Sequence, residues 1–214
     1  MRDLPDFDKS RYEEERTHIA AGLREPGLAL IENIASAIDP DLRVDRRSSV
    51  SPLHRDLRFA KVGTPRYKDH LLLTTWHGRD RKTAPMLWIR IDSKSVGFAS
   101  GIAFTPKIRD AWRQAIAGAS GASFAKQLAA LRKTHKTKEL EIVGDGLKRV
   151  PKPWSDDHVR ADLLRFTGFQ IRFQESLPAA VGKSTFSGWC EKRLRDILPV
   201  HRWLVTELSK EEHS

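Results

Sequence analysis

Apolar positions recur at helical spacing over the first forty residues, alternate in twos through the middle of the chain, and return to helical spacing toward its end. Ser10-Arg11-Tyr12-Glu13 has the form of a capping box, with serine at N-cap and glutamate at N3, and predicts a helix running through Ile19 and Leu23. Pro26 interrupts that pattern and suits the first turn of a second helix, which carries Leu28, Ile31, Ala35 and Ile38 on one face. Asp39-Pro40 ends it, because the residue before a proline is pushed out of the helical region.

Leu71 to His77 and Met86 to Ile91 read as strands. Asp92-Ser93-Lys94-Ser95 supplies turn chemistry, and Val96 to Phe104 returns as the second arm of an antiparallel hairpin. Thr105-Pro106 opens a helix with Ile108, Ala111, Trp112, Ala115 and Ile116 on its apolar side. Gly118 to Gly121 reads as a loop before a helix marked by Phe124, Leu128 and Leu131. Glu139 to Val143 reads as a short strand ending at Gly144-Asp145-Gly146. Two prolines keep Val150 to Trp154 irregular.

Ser155 is positioned to cap a helix bearing Val159, Leu163 and Phe166, stopped by Gly168. Phe169, Ile171 and Phe173 alternate with Gln170, Arg172 and Gln174 as in a half-buried strand. A helix from about Thr185 to Leu198 is followed, after Pro199, by a short one with Trp203, Leu204 and Leu208. Helices around strands that are mostly adjacent in sequence, without βαβ alternation, predict an α+β fold with a mainly antiparallel sheet flanked by helices. The 214 residues fit a single domain, with loose tails at about 1–9 and 209–214.

Composition narrows the function classes. Hydrophobic residues at 39 % still provide a core, which argues against disorder. The net charge of +10 is uneven: positions 43–82 hold eleven basic and four acidic residues, a surplus of seven. Such a surplus favours anionic partners, although basic residues also serve solubility. Cys190 is the single cysteine, which excludes an intramolecular disulfide and a cysteine cage for metal. No apolar leader follows Met1-Arg2-Asp3 and no run of eighteen apolar residues exists, so the expectation is a cytoplasmic protein with no membrane partner.

The densest chemistry lies in His54-Arg55-Asp56-Leu57-Arg58-Phe59, with Tyr67 eight positions further on. An Asp–Arg pair here would hold a guanidinium fork ready for a phosphate or carboxylate, and Tyr67 could stack on a base or donate its hydroxyl. The expected function is binding of an anionic ligand, nucleic acid or a phosphorylated small molecule, through Arg55, Arg58, Lys61, Arg66, Tyr67 and Lys68. One alternative is an enzyme in which Asp56 or His54 acts as acid or base while Arg55 and Arg58 hold a charged substrate. Another is a protein-interaction module meeting its partner through a basic face, with Trp154 as the exposed aromatic. The structural account of the same residues is an ion-pair network pinning this segment to the sheet, with Phe59 in the core.

The segment resembles the signature of bacterial domain-of-unknown-function family 2461, R-x-x-R-D-x-R-F-x-x-x-[D/N]-K-x-x-Y. Arg55, Asp56, Arg58, Phe59 and Tyr67 match, whereas Pro52, Gly63 and Thr64 replace the first arginine, the Asp or Asn, and the lysine. Similar surroundings at Asp39 to Val44, at Tyr67-Lys68 and in the stretch from Gly144 to Arg149 extend the resemblance over most of the chain from about Arg11. The family implies no substrate, and an activity that needs the missing arginine or lysine would be altered here.

Other motifs carry less. Gly182-Lys183-Ser184-Thr185 has the end of a phosphate-binding loop, but Leu177 stands where its first glycine belongs. No two of the eight histidines pair at i, i+4, so neither metal nor cofactor is expected. Gly97 to Gly101 lacks the spacing of a nucleophile elbow and suits a bent strand. Cys190 reads as a buried thiol, and Trp76, Trp88 and Trp112 as core.

Overall fold

The computed structural model describes residues 1–135, 140–144 and 146–209. Its α-helices are α1 (Lys9–Glu14), α2 (Arg16–Ile19), α3 (Glu25–Ile38), α4 (Pro106–Ala117), α5 (Ala119–Thr134), α6 (Ala161–Leu164) and α7 (Phe186–Leu208). The strands are β1 (His70–Trp76), β2 (Met86–Asp92), β3 (Ser95–Ala103), β4 (Leu140–Val143) and β5 (Gly168–Ser176). They form one antiparallel sheet in the order β1-β2-β3-β5-β4, so the fold is α+β as the pattern predicts. β4 pairs with β5 in the register Leu140 to Phe173 through Val143 to Gln170.

The chain forms two compact units. One comprises Met1–Thr75, Trp88–Gly97 and Glu175–Glu191, the other Trp76–Leu87, Phe98–Gln174 and Lys192–Ser214. In the first unit, α3 buries the predicted stripe of Leu28, Ile31, Ala35 and Ile38, and Ile34 with it. Gly27 lets this helix lie close on β1: a Cβ there would sit 2.9 Å from Leu71 Cδ2 and 3.1 Å from Leu73 Cδ2. Asp39 is extended and ends the helix before Pro40.

In the second unit Trp112 is fully buried, with the rings of Phe104, Phe124, Phe169 and Trp203 between 5.2 and 5.7 Å away, and its Nε1 donates to the Leu163 carbonyl at 2.8 Å. Phe169, Ile171 and Phe173 face inward on β5 as their alternation requires. Thr105 caps α4 by accepting from the Ile108 amide at 3.2 Å. At the other end of α4, the Arg160 guanidinium donates to the carbonyls of Ile116, Ala117 and Gly118 at 2.6–3.0 Å. This cation at a helix C-terminus satisfies carbonyls that the helix itself leaves open. Ser100, His201 and His77 form a buried polar chain: Ser100 Oγ lies 3.0 Å from His201 Nδ1, and His201 Nε2 lies 2.9 Å from His77 Nδ1.

Several local expectations are corrected. Asp8, not Ser10, caps the first helix by accepting from the Arg11 amide at 2.8 Å, and Ser10 lies inside the helix with its hydroxyl on Glu14. A 3-10 turn at Leu4–Asp6, with Leu4 buried, precedes that helix. Between the first and second predicted helices the chain stays helical through one π-type turn, Ala20–Arg24.

Gly118 alone breaks α4 from α5, and Gly121 is helical and buried, with its missing side chain leaving room for the Ile116 carbonyl oxygen. Ser155 accepts from the Asp157 amide instead of capping a long helix. Val159 is exposed, and only Ala161–Leu164 is helical. Pro199 does not end the last helix: α7 runs through it with Ile197, Leu198, Val200, Trp203 and Leu204 all buried, so burial of a continuous stripe overrides the proline's local preference. Glu139, Asp145 and residues 210–214 lie outside the described residues.

Candidate functional site

The candidate segment begins where the chain leaves α3 and runs antiparallel along β1. Val50 bridges Leu73, the Ser51 amide donates to the Leu72 carbonyl at 2.9 Å, and the Thr74 amide donates to the Ser49 carbonyl at 2.8 Å. Arg24 holds this approach by donating to the carbonyls of Val50 and Arg46. Arg46 in turn pairs with both oxygens of Glu25. Beyond it the chain makes a narrow hairpin of its own. Its stem is fixed by an antiparallel bridge between His54 and Tyr67, and by amide-to-carbonyl bonds from Arg55 to Arg66 (2.8 Å) and from Lys68 to Leu53 (2.7 Å). Two successive turns form the tip: the Ala60 amide donates to the Leu57 carbonyl, and the Thr64 amide to the Lys61 carbonyl. Gly63, at φ +84°, takes the left-handed conformation the second turn requires.

At this hairpin lies an open hollow of about 650 Å³, lined by Pro52, His54, Arg55, Asp56, Leu57, Arg58, Arg66 and Lys68. Four cationic side chains and one carboxylate therefore share one concavity. Asp56 grips Arg58 with both oxygens, at 3.0 Å and 3.1 Å to Nε and 2.5 Å to Nη2, and also accepts from the Arg58 amide at 3.1 Å. The hydrogen bond from the Arg58 side chain holds the Asp56 carboxyl below its ordinary pKa. In this arrangement the Asp56 carboxylate is the charge partner that orients Arg58.

Arg55 is half-buried. Its Nε donates to the Tyr67 carbonyl at 3.4 Å, and its Nη2 stands 3.8 Å from Asp69. Lys68 donates to the Pro52 carbonyl at 2.7 Å, and its pKa is pushed down by burial and by the neighbouring positive charge of Arg55. Arg66 is exposed and has no ion pair among the described residues. His54 is exposed on the rim.

Three expected residues sit elsewhere. Tyr67 is buried and stacked on Tyr12 of α1, centroids 4.1 Å apart and planes at 5°, so its ring anchors the stem and does not face the hollow. Lys61 is exposed at the tip and does not line the hollow. Phe59, a core residue in the structural account, is 95 % exposed at the tip. Trp154 is only half-buried, and Phe59 takes its place as the exposed aromatic.

Sequence reasoning missed Asp69, His70 and Arg90. The Asp69 carboxylate accepts from His70 Nδ1 at 2.8 Å and lies 3.8 Å from both Arg55 and Arg90, while Arg90 also pairs with Asp92. The hydrogen bond from His70 keeps the Asp69 pKa low, and burial keeps the His70 pKa low, so His70 is the neutral donor. The available signal was the polar pair Asp69-His70 immediately before an apolar strand. The phosphate-loop resemblance at Gly182 finds no matching frame, since β5 before it is antiparallel in the sheet.

A family profile described as "Conserved hypothetical protein (DUF2461)" matches residues 7–203. The chain belongs to that family. The match takes in the whole hairpin and all five strands. No curated protein and no solved structure matches the chain. Among the described residues no helix is long and apolar enough to cross a membrane.

Proposed function

We propose that this member of the DUF2461 family binds an anionic ligand, a phosphorylated small molecule or nucleic acid, in the hollow of the hairpin between Leu53 and Lys68. The observation that carries the reading is the convergence of Arg55, Arg58, Arg66 and Lys68 on one open concavity whose single carboxylate, Asp56, is already committed to Arg58. Like charges gathered in this way repel one another, and the Lys68 pKa, lowered first by burial, is lowered further by the charge of Arg55. An anion in the hollow offsets the repulsion. Bidentate hydrogen bonding from guanidinium groups gives it both strength and orientation. The volume of about 650 Å³ suits a ligand of nucleotide size.

Titration calorimetry with inorganic tripolyphosphate at low ionic strength tests the reading. Binding is expected to weaken about tenfold or more in each of Arg55→Ala and Arg66→Ala, in line with the loss of a charge-assisted hydrogen bond. Absence of heat with the wild-type protein, or equal affinity in all three proteins, refutes it.

A further inference from the structure

We infer that the hairpin is a finger for single-stranded nucleic acid, in which phosphates lodge against Arg55, Arg66 and Lys68 while an unpaired base stacks on Phe59. The inference rests on the anion-binding reading and adds the class of ligand.

Phe59 carries it. A phenylalanine side chain left in water forgoes the stabilisation of burial, and this one is 95 % exposed although the chain has a well-filled core available. The exposure is not that of a slack loop. The two turns at 57–60 and 61–64 fix the tip, with the Thr64 hydroxyl adding a 2.7 Å bond to the Lys61 carbonyl. A flat apolar ring is thus presented on a braced support, which is how proteins that hold single strands offer a stacking platform.

Arg58 joins the ring to the hollow. It lines the concavity, and its guanidinium carbon lies 6.0 Å from the Phe59 ring centroid, held there by Asp56. A ligand with phosphate in the hollow and a planar base beyond Arg58 would engage both features together. A small phosphorylated molecule would fill the hollow and leave the ring unused. Val62, fully exposed near Phe59, makes a bilayer the rival occupant of the tip. However, the cations line a concavity beside the ring, which suits a strand that places a phosphate in the hollow and a base on Phe59.

The decisive measurement is fluorescence anisotropy with a labelled 15-nucleotide oligothymidylate, run beside inorganic polyphosphate and phosphatidylserine vesicles, for wild type, Phe59→Ala and Arg66→Ala. Phe59→Ala removes a fully exposed side chain and leaves the packing untouched. It is expected to weaken oligonucleotide binding by about tenfold while polyphosphate binding stays unchanged. Arg66→Ala is expected to weaken both.

Equal oligonucleotide affinity in Phe59→Ala and wild type, with polyphosphate binding intact, overturns the nucleic-acid inference and leaves the anion site standing. A loss in Phe59→Ala confined to the vesicles overturns it in favour of a membrane. Failure of wild type to bind polyphosphate removes the anion site and the inference with it.

Discussion

At the scale of single residues, two of this protein's polar groupings differ in what surrounds them. Arg55, Asp56 and Arg58 stand at an open surface, where solvent screens their charges and a ligand can reach them. Ser100, His201 and His77 are sealed in, and burial drives the His201 pKa from an ordinary 6.5 down to about 3, with the His77 ring and Arg202 contributing in the same direction. His201 is therefore neutral in the folded protein.

The sign for stability follows from proton counting. Below about pH 6.5 the unfolded chain takes up a proton at this histidine that the folded protein refuses, so stability is full above that pH and declines as pH falls toward 3. The slope from this one group is about 1.4 kcal/mol per pH unit. Urea midpoints at pH 7 and pH 5 should show the decline in wild type and a shallower one in His201→Gln. Parallel pH profiles for the two proteins would show that another group governs it.

At the scale of elements, local rules hold where the chain needs only its neighbours and give way where burial intervenes. The Thr105 cap, the Pro106 start and the Asp92 turn, whose carboxylate accepts from the amides of Lys94 and Ser95 at 2.8 Å, are all local and all stand as expected. The last helix shows the opposite. Pro199 lacks an amide donor and sits on the exposed face of α7, while Ile197, Leu198 and Val200 around it are buried. Because its ring packs against nothing that the core requires, Pro199→Ala should restore the helical hydrogen bond and raise stability by about 1–3 kcal/mol, read from chemical denaturation. An unchanged or lower midpoint would mean that the proline's restriction of the unfolded chain outweighs the missing bond.

At the scale of the molecule, the hairpin joins the scaffold through a buried stem, Leu53 and Tyr67, and leaves its tip outside the core. Its tip buries little: Phe59 and Val62 are fully exposed, and Arg58 and Lys61 are in solvent. The scaffold rests instead on the α3 stripe in one unit and the Trp112 cluster in the other. Replacing residues 57–64 by a two-residue Asn-Gly turn should therefore leave the thermal midpoint within a few degrees of wild type while abolishing oligonucleotide retention. A collapse of the midpoint would assign the tip a structural role. Retention by the wild type should also fall with salt, with a log–log slope of about −2 for three phosphates neutralised on a single strand.

Periodicity, caps and turns settled the α+β class and most of the elements, because those features depend on residues within a few positions of one another. The family that the stretch from Arg55 to Tyr67 resembles is the one whose profile matches residues 7–203. What each of those residues does was decided only in three dimensions. Tyr67 is taken by Tyr12, which lies 55 positions earlier in the chain, while Phe59 faces water despite its hydrophobicity. Asp69 is drawn to Arg90 on the next strand, and Ser100 meets a histidine 101 residues away. The physical reason is common to all of them. A side chain's charge state and availability are set by who its neighbours are and how much water they exclude, and local pattern says nothing of neighbours brought together by the fold.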